Sequence, residues 1–119
     1  MRYEGPKQRT DEEILEILGR ADAKPADRAS AVLSAIFYGS TREFAGNALI
    51  DAFARAPYAE RSYLTSLFAT FYQSNSTTYR IDESIDLLKT YKMASRKDSL
   101  ETQSVIEELA EYKIMFGDA

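Results

Sequence analysis

Three features of the 119-residue sequence predict an all-α fold, a compact single-domain bundle of five to six antiparallel helices. Apolar residues recur at helical spacing in six stretches, and no stretch alternates with period two for long enough to compel a strand. Glycine (5) and proline (3) are too scarce for a turn-rich β architecture. Residues 1–9 carry no periodicity and read as a flexible N-terminal lead-in, leaving residues 10–119 as a single helical domain.

The elements follow in order. Thr10-Asp11-Glu12-Glu13 has the spacing of a capping box, in which the Thr10 hydroxyl accepts from the Glu13 N–H and the Glu13 carboxylate reaches back. Ile14, Leu15, Ile17 and Leu18 form the first apolar stripe, and the helix should stop near residues 20–23. Pro25 suits the first position of a second helix, whose core face is Ala29, Val32, Leu33, Ile36 and Phe37. Gly39 is expected to close it in the left-handed conformation, and Ser40 with Glu43 predicts a second capping box. In the third helix Phe44, Ala45, Ala48, Leu49, Ala52 and Phe53 make one wide face whose alanines permit close approach. Pro57 ends that helix and starts the fourth, the most aromatic, with Tyr63, Leu64, Leu67, Phe68, Phe71 and Tyr72 on one face. The third and fourth helices should therefore lie at the centre.

Residues 73–80 are polar and hydroxyl-rich and read as the longest loop. Asp82 should cap a fifth helix carrying Ile85, Leu88 and Tyr91, and residues 94–97 make a short link. Asp98 or Ser99 should cap the last helix, with Val105, Ile106, Leu109, Tyr112 and Phe116 on its stripe. Residues 25–40 are weakly echoed in 57–74, but no third copy follows, so a solenoid is not expected.

Composition restricts the chemistry. The chain has no cysteine and no histidine. This removes disulfides, thiolate nucleophiles, zinc ribbons and the commonest general base and metal ligand together. No glycine-rich phosphate loop, nucleophile elbow or Ser-x-x-Lys is present. Glu12, Glu13 and Glu16, and Glu107, Glu108 and Glu111, cluster off the apolar stripes, where solvated helix faces explain them better than a metal or acid–base site. No cofactor, metal or catalytic residue is expected. No apolar run approaches the ~20 residues that span a bilayer. With no leader visible, a cytoplasmic protein that does not enter the membrane is expected.

Two clusters remain as candidate binding sites. Eight tyrosines are many for this length, and Tyr58, Tyr63, Tyr72 and Tyr79 surround the fourth helix and the loop after it. Tyrosine suits interfaces because it buries a large apolar body and keeps a polar tip. The second cluster is basic: Arg80, Lys89, Lys92, Arg96 and Lys97, interleaved with Tyr79 and Tyr91, in the manner of a surface that tracks phosphates and stacks bases. The net charge of −4, and the acidic Asp82, Glu83 and Asp86 within the patch, weigh against it. A helix-turn-helix at Gly39-Ser40 is weaker still, since its second helix offers Arg42 and then a largely apolar face.

The expected function is therefore a non-enzymatic protein-binding helical module: a small inhibitor, including the phage type that blocks a host defence complex, an adaptor or an accessory subunit. The alternative is a small helical subunit of a nucleoprotein complex that binds RNA or DNA through the 80–97 patch. The alanine-rich and aromatic faces suit a homodimer as well as a monomer core.

Overall fold

The structure, a computed structural model, describes residues 6–94 and 99–117, with the side chains of Tyr58, Ala94 and Ser99 outside the description. Its elements are α1 (Asp11–Gly19), α2 (Pro25–Tyr38), α3 (Arg42–Arg55), α4 (Tyr58–Asn75), α5 (Ile81–Ala94) and α6 (Ser99–Phe116). The fold is an all-α bundle, with no strand among the described residues.

Local chemistry sets the helix ends. The Thr10 capping box forms in full: Glu13 N–H donates to the Thr10 hydroxyl at 3.2 Å and Thr10 N–H donates to the Glu13 carboxylate at 3.0 Å. Pro25 stands at the start of α2 as expected. The second capping box is different. Thr41, not Ser40, is the N-cap of α3 and accepts from Phe44 N–H at 2.9 Å. Ser40 is drawn away because its N–H and hydroxyl both go to the Asp11 carboxylate, tying the start of α1 to the α2–α3 link. Gly39 is not left-handed either. Its φ is −61°, and glycine is needed there for closeness: a Cβ would come within 2.5 Å of the Ala35 carbonyl oxygen.

The expected loop at 73–80 is shorter. α4 runs on to Asn75, whose side-chain amide donates to the carbonyls of Phe71 and Ile36, both at 3.2 Å. The chain leaves α4 at Ser76 and enters α5 at Arg80, both with positive φ, 50° and 52°. α5 begins one residue before Asp82, and the Arg80 carbonyl accepts its first helical bond, from Ser84 N–H. Asp98, one of the two caps expected for α6, lies outside the described residues.

α4 is the central helix and packs against α2, α3, α5 and α6, while α3 packs on α2 and α4. Its faces are filled by Leu64, Phe68, Phe71 and Tyr72, all buried. The Phe53 ring of α3 meets Phe68 of α4 edge-on at 5.1 Å and Tyr91 of α5 at 5.6 Å, so one aromatic cluster joins three helices. Arg61 covers the same Phe53 ring at 5.1 Å and donates to the carbonyls of Ala54 and Ala56 at the end of α3.

Helix directions can be read from the bonds between them. Arg28, early in α2, pairs with Glu60, early in α4, while Ile36 and Asn75, late in the same helices, also meet. α2 and α4 therefore run parallel, with α3 returning between them. α5 and α6 run antiparallel: Asp82 pairs with Lys113 at one end of the hairpin, and Lys92 donates to Gln103 at the other.

Part of the N-terminal lead-in is docked. Arg9 donates to the hydroxyls of Ser30 and Ser34, and buried Ser34 donates to the Lys7 carbonyl at 2.6 Å. Residues 7–9 thus lie along α2.

Candidate interaction surfaces

The four tyrosines do not form one surface. Tyr72 is only 1% exposed, because it faces from α4 onto the link and the start of α5. Its phenol has one proton, which it donates to the Tyr79 carbonyl at 2.7 Å, so the Ser84 hydroxyl 2.8 Å away is the donor to Tyr72. Burial pushes the Tyr72 phenol up to about 12, against the opposing effect of the Ser84 bond. Tyr72 is therefore a core residue and not, as expected from the sequence, part of an exposed tyrosine surface. Tyr79 is half-buried, and its hydroxyl donates to Asn47 Oδ1 at 2.8 Å. Its ring leans on α3, where a Cβ at Gly46 would meet it at 2.7 Å. Tyr58 opens α4, but its side chain lies outside the described residues. Tyr63 alone of the four is shown exposed. It borders a shallow hollow of about 360 Å³ with Leu67 of α4, Ala29 and Leu33 of α2, and Pro6 of the docked lead-in.

The basic cluster is dispersed and partly satisfied. The Arg80 guanidinium donates to Asn47 Oδ1 at 2.8 Å and holds Glu83 with two bonds of 2.7 and 3.0 Å. That carboxylate raises the Arg80 pKa and is itself held below the usual carboxylate range. Lys92 donates to Gln103 at 2.6 Å. Lys89 stands beside Asp82 and Asp86 on the wall of a groove. Arg96 and Lys97 lie outside the described residues. Among the described residues, no three carboxylates come together in a way that could hold a metal ion.

Two larger concavities occur where helices diverge. One, of about 760 Å³, lies between α1 and α3, with Leu15, Leu18, Phe44, Ala48 and Ala52 as its apolar floor. Its rim is polar, and Arg28 there is held by Glu60 and by the carbonyls of Arg20 and Ala21. The other, of about 780 Å³, lies between α5 and α6. Its floor is Ile81, Ile85, Ile106, Ala110 and Ile114, and its walls carry Asp82, Asp86, Lys89 and Lys113.

Five of the nine large apolar side chains left exposed among the described residues lie on α5 and α6, and one of them, Ile114, lines this second groove. Met93 and Leu100 are each 88% exposed at the linked end of the hairpin, and Ile114, Met115 and Phe116 are 83%, 71% and 61% exposed at its open end. Phe116 was expected on the core stripe of α6. The observed stripe is Thr102, Val105, Ile106 and Leu109, with Tyr112 half-buried, and the exposed Phe116 ring lies tilted against Tyr112 with centroids 4.7 Å apart. Sequence reasoning missed Met93, Leu100, Ile114 and Met115. The available signal was that they are apolar residues left over once each core stripe is assigned.

No helix among the described residues is long and apolar enough to cross a membrane. Comparisons with protein-family models, curated proteins and solved structures find no match for the chain.

Proposed function

We propose that this chain is a non-enzymatic protein-binding module that engages its partner through the α5–α6 face. The observation that carries this reading is the exposure of Met93, Leu100, Ile114, Met115 and Phe116 on the two helices that enclose an isoleucine-lined groove, with Ile114 lining the groove itself. Exposed apolar side chains scattered singly are ordinary, but their concentration on one helical hairpin beside an apolar groove favours a protein interface. Methionine suits such a surface because its unbranched thioether adapts to the opposing shape. The absence of imidazole and thiol side chains supports binding over catalysis as the role of the domain.

The nucleic-acid alternative has less support. It requires net positive charge along a groove, whereas Arg80 is neutralised by Glu83 and the lysines of the α5–α6 groove alternate with aspartates.

The test is site-specific photocross-linking in extract of the native host. A benzophenone side chain at Met115 should give discrete adducts that protease destroys and nuclease does not, and the same group at Glu12 should give none. The adducts should disappear when Ile114→Lys is added. Nuclease-sensitive adducts, or equal yields from the two positions, would refute the proposal.

A further inference from the structure

Thr78 and Ile81 line the α5–α6 groove, and the side chains of the two residues between them, Tyr79 and Arg80, reach away from it to α3. There Gly46 and Asn47 form a socket. Asn47 Oδ1 accepts from the Tyr79 hydroxyl and from the Arg80 guanidinium, both at 2.8 Å. Gly46 makes room for the ring: a Cβ there would come within 2.7 Å of Tyr79 and 3.0 Å of Phe71. Glycine in mid-helix costs stability relative to alanine, and the space it leaves for Tyr79 accounts for it at this position. On the α4 side the Tyr79 carbonyl accepts from the Tyr72 hydroxyl.

The link needs such a hold. Ser76 and Arg80 both stand in the left-handed region, with φ of 50° and 52°, although neither is glycine. A residue that carries a side chain occupies that region at a cost and persists there where its surroundings fix it. The Arg80 carbonyl also accepts the first helical bond of α5, from Ser84 N–H, at a position where extended backbone is the rule. Its guanidinium is fixed by Asn47 on α3 and by Glu83 on α5.

Resting on the reading of the α5–α6 face as the protein-binding surface, we propose that Gly46 and Asn47 are positioning residues for its groove. The socket keeps Arg80 left-handed, and this sets where Thr78 and Ile81 stand relative to Lys113 and Gly117 on the opposite wall. With the socket broken, Arg80 relaxes towards extended backbone, the first turn of α5 re-aims and the groove changes shape at this end. α3 contributes no residue to the groove, yet it controls that shape.

Isoleucine-methyl NMR and amide exchange on the full chain test this with three substitutions at the socket. Asn47 is half-buried, so Asn47→Ala removes the acceptor and leaves the core intact. The methyl signals of Ile81 and Ile85 should shift while that of Ile14 on α1 stays. Exchange of the Ser84 amide should rise about tenfold, as the loss of one or two hydrogen bonds implies. Asn47→Asp keeps an acceptor for both donors and should bring both readouts back towards the wild type. Gly46→Ala favours the helix itself but drives a methyl group against Tyr79, and should reproduce the Asn47→Ala shifts. In the cross-linking assay, the Met115 adducts should weaken with Asn47→Ala and recover with Asn47→Asp. Unmoved Ile81 signals, an equal change at Ile14, no rescue by Asn47→Asp, a silent Gly46→Ala or undiminished Met115 adducts would each overturn the assignment. The protein-binding reading fails separately: if the wild type gives no Met115 adduct, that reading falls, and the methyl and exchange readouts still decide whether the socket shapes the groove.

Discussion

At the scale of single residues, Tyr72 shows how a polar group is made part of a core. Its hydroxyl is satisfied by the Tyr79 carbonyl and Ser84, and no buried side-chain nitrogen or oxygen among the described residues lacks a partner. The cost falls on ionisation. In the unfolded chain this phenol has a pKa near 10, and folding raises it to about 12. Below pH 10 the phenol is neutral in both states and its contribution is complete. Between pH 10 and 12 the unfolded chain loses the proton first, so stability falls, by about 2–3 kcal/mol in all. Denaturant unfolding of Tyr72→Phe should lack this component, so its deficit against the wild type should shrink from pH 9 to pH 12. A constant deficit would mean that the phenol ionises equally well in both states. Periodicity placed Tyr72 on the apolar face of α4, but tyrosine patterns at a core edge and at an interface are the same. Only the position of a partner for the hydroxyl separates them, and that partner is supplied by another helix.

At the scale of elements, the helix ends measure what sequence can reveal. The Thr10 box depends on four consecutive residues and forms as read, as does the proline start of α2. The box at Ser40 fails because Asp11, distant in the chain, competes for Ser40, leaving Thr41 to cap α3. Thr41→Ala should therefore destabilise the domain by about 1 kcal/mol, the ordinary value of an N-cap. Thermal or urea unfolding would show the loss, and Thr41→Ser should restore most of it. The end of α4 follows the same rule: a polar tract reads as loop, yet Asn75 extends the helix because α2 offers it a carbonyl. Six helices were legible because their apolar spacing is local; the parallel pairing of α2 with α4 was not, since it depends on contacts between residues far apart in the chain.

At the scale of the whole molecule, the bundle is closed by the cluster of Phe53, Phe68 and Tyr91. Because the Phe53 ring of α3 touches both α4 and α5, its loss should weaken the fold as a unit. Phe53→Ala should cost about 3–5 kcal/mol and lower Tm by roughly 10–20 °C. Far-ultraviolet dichroism and tyrosine fluorescence should still report one coincident transition; two separate transitions would show that α5 and α6 melt independently of the rest. The candidate site was less legible than this core. Tyr63 was identified and is exposed, but the large exposed apolar residues of α5 and α6, Phe116 apart, belong to no stripe. Amphipathic reading assigns a helix one buried face, whereas α6 also sets Ile106, Ala110 and Ile114, four residues apart, along the groove beside α5.

The two ends of the described chain emerge on different surfaces: Pro6 and Lys7 lie beside Tyr63 on the α2–α4 side, while Gly117 borders the α5–α6 groove. Fusions and immobilisation are therefore not interchangeable. A tether or reporter domain grafted ahead of residue 6 departs well away from that groove and leaves it open. The same cargo attached after residue 117 starts at the groove's rim and can shield it, so an assay built that way would register silence from a competent molecule.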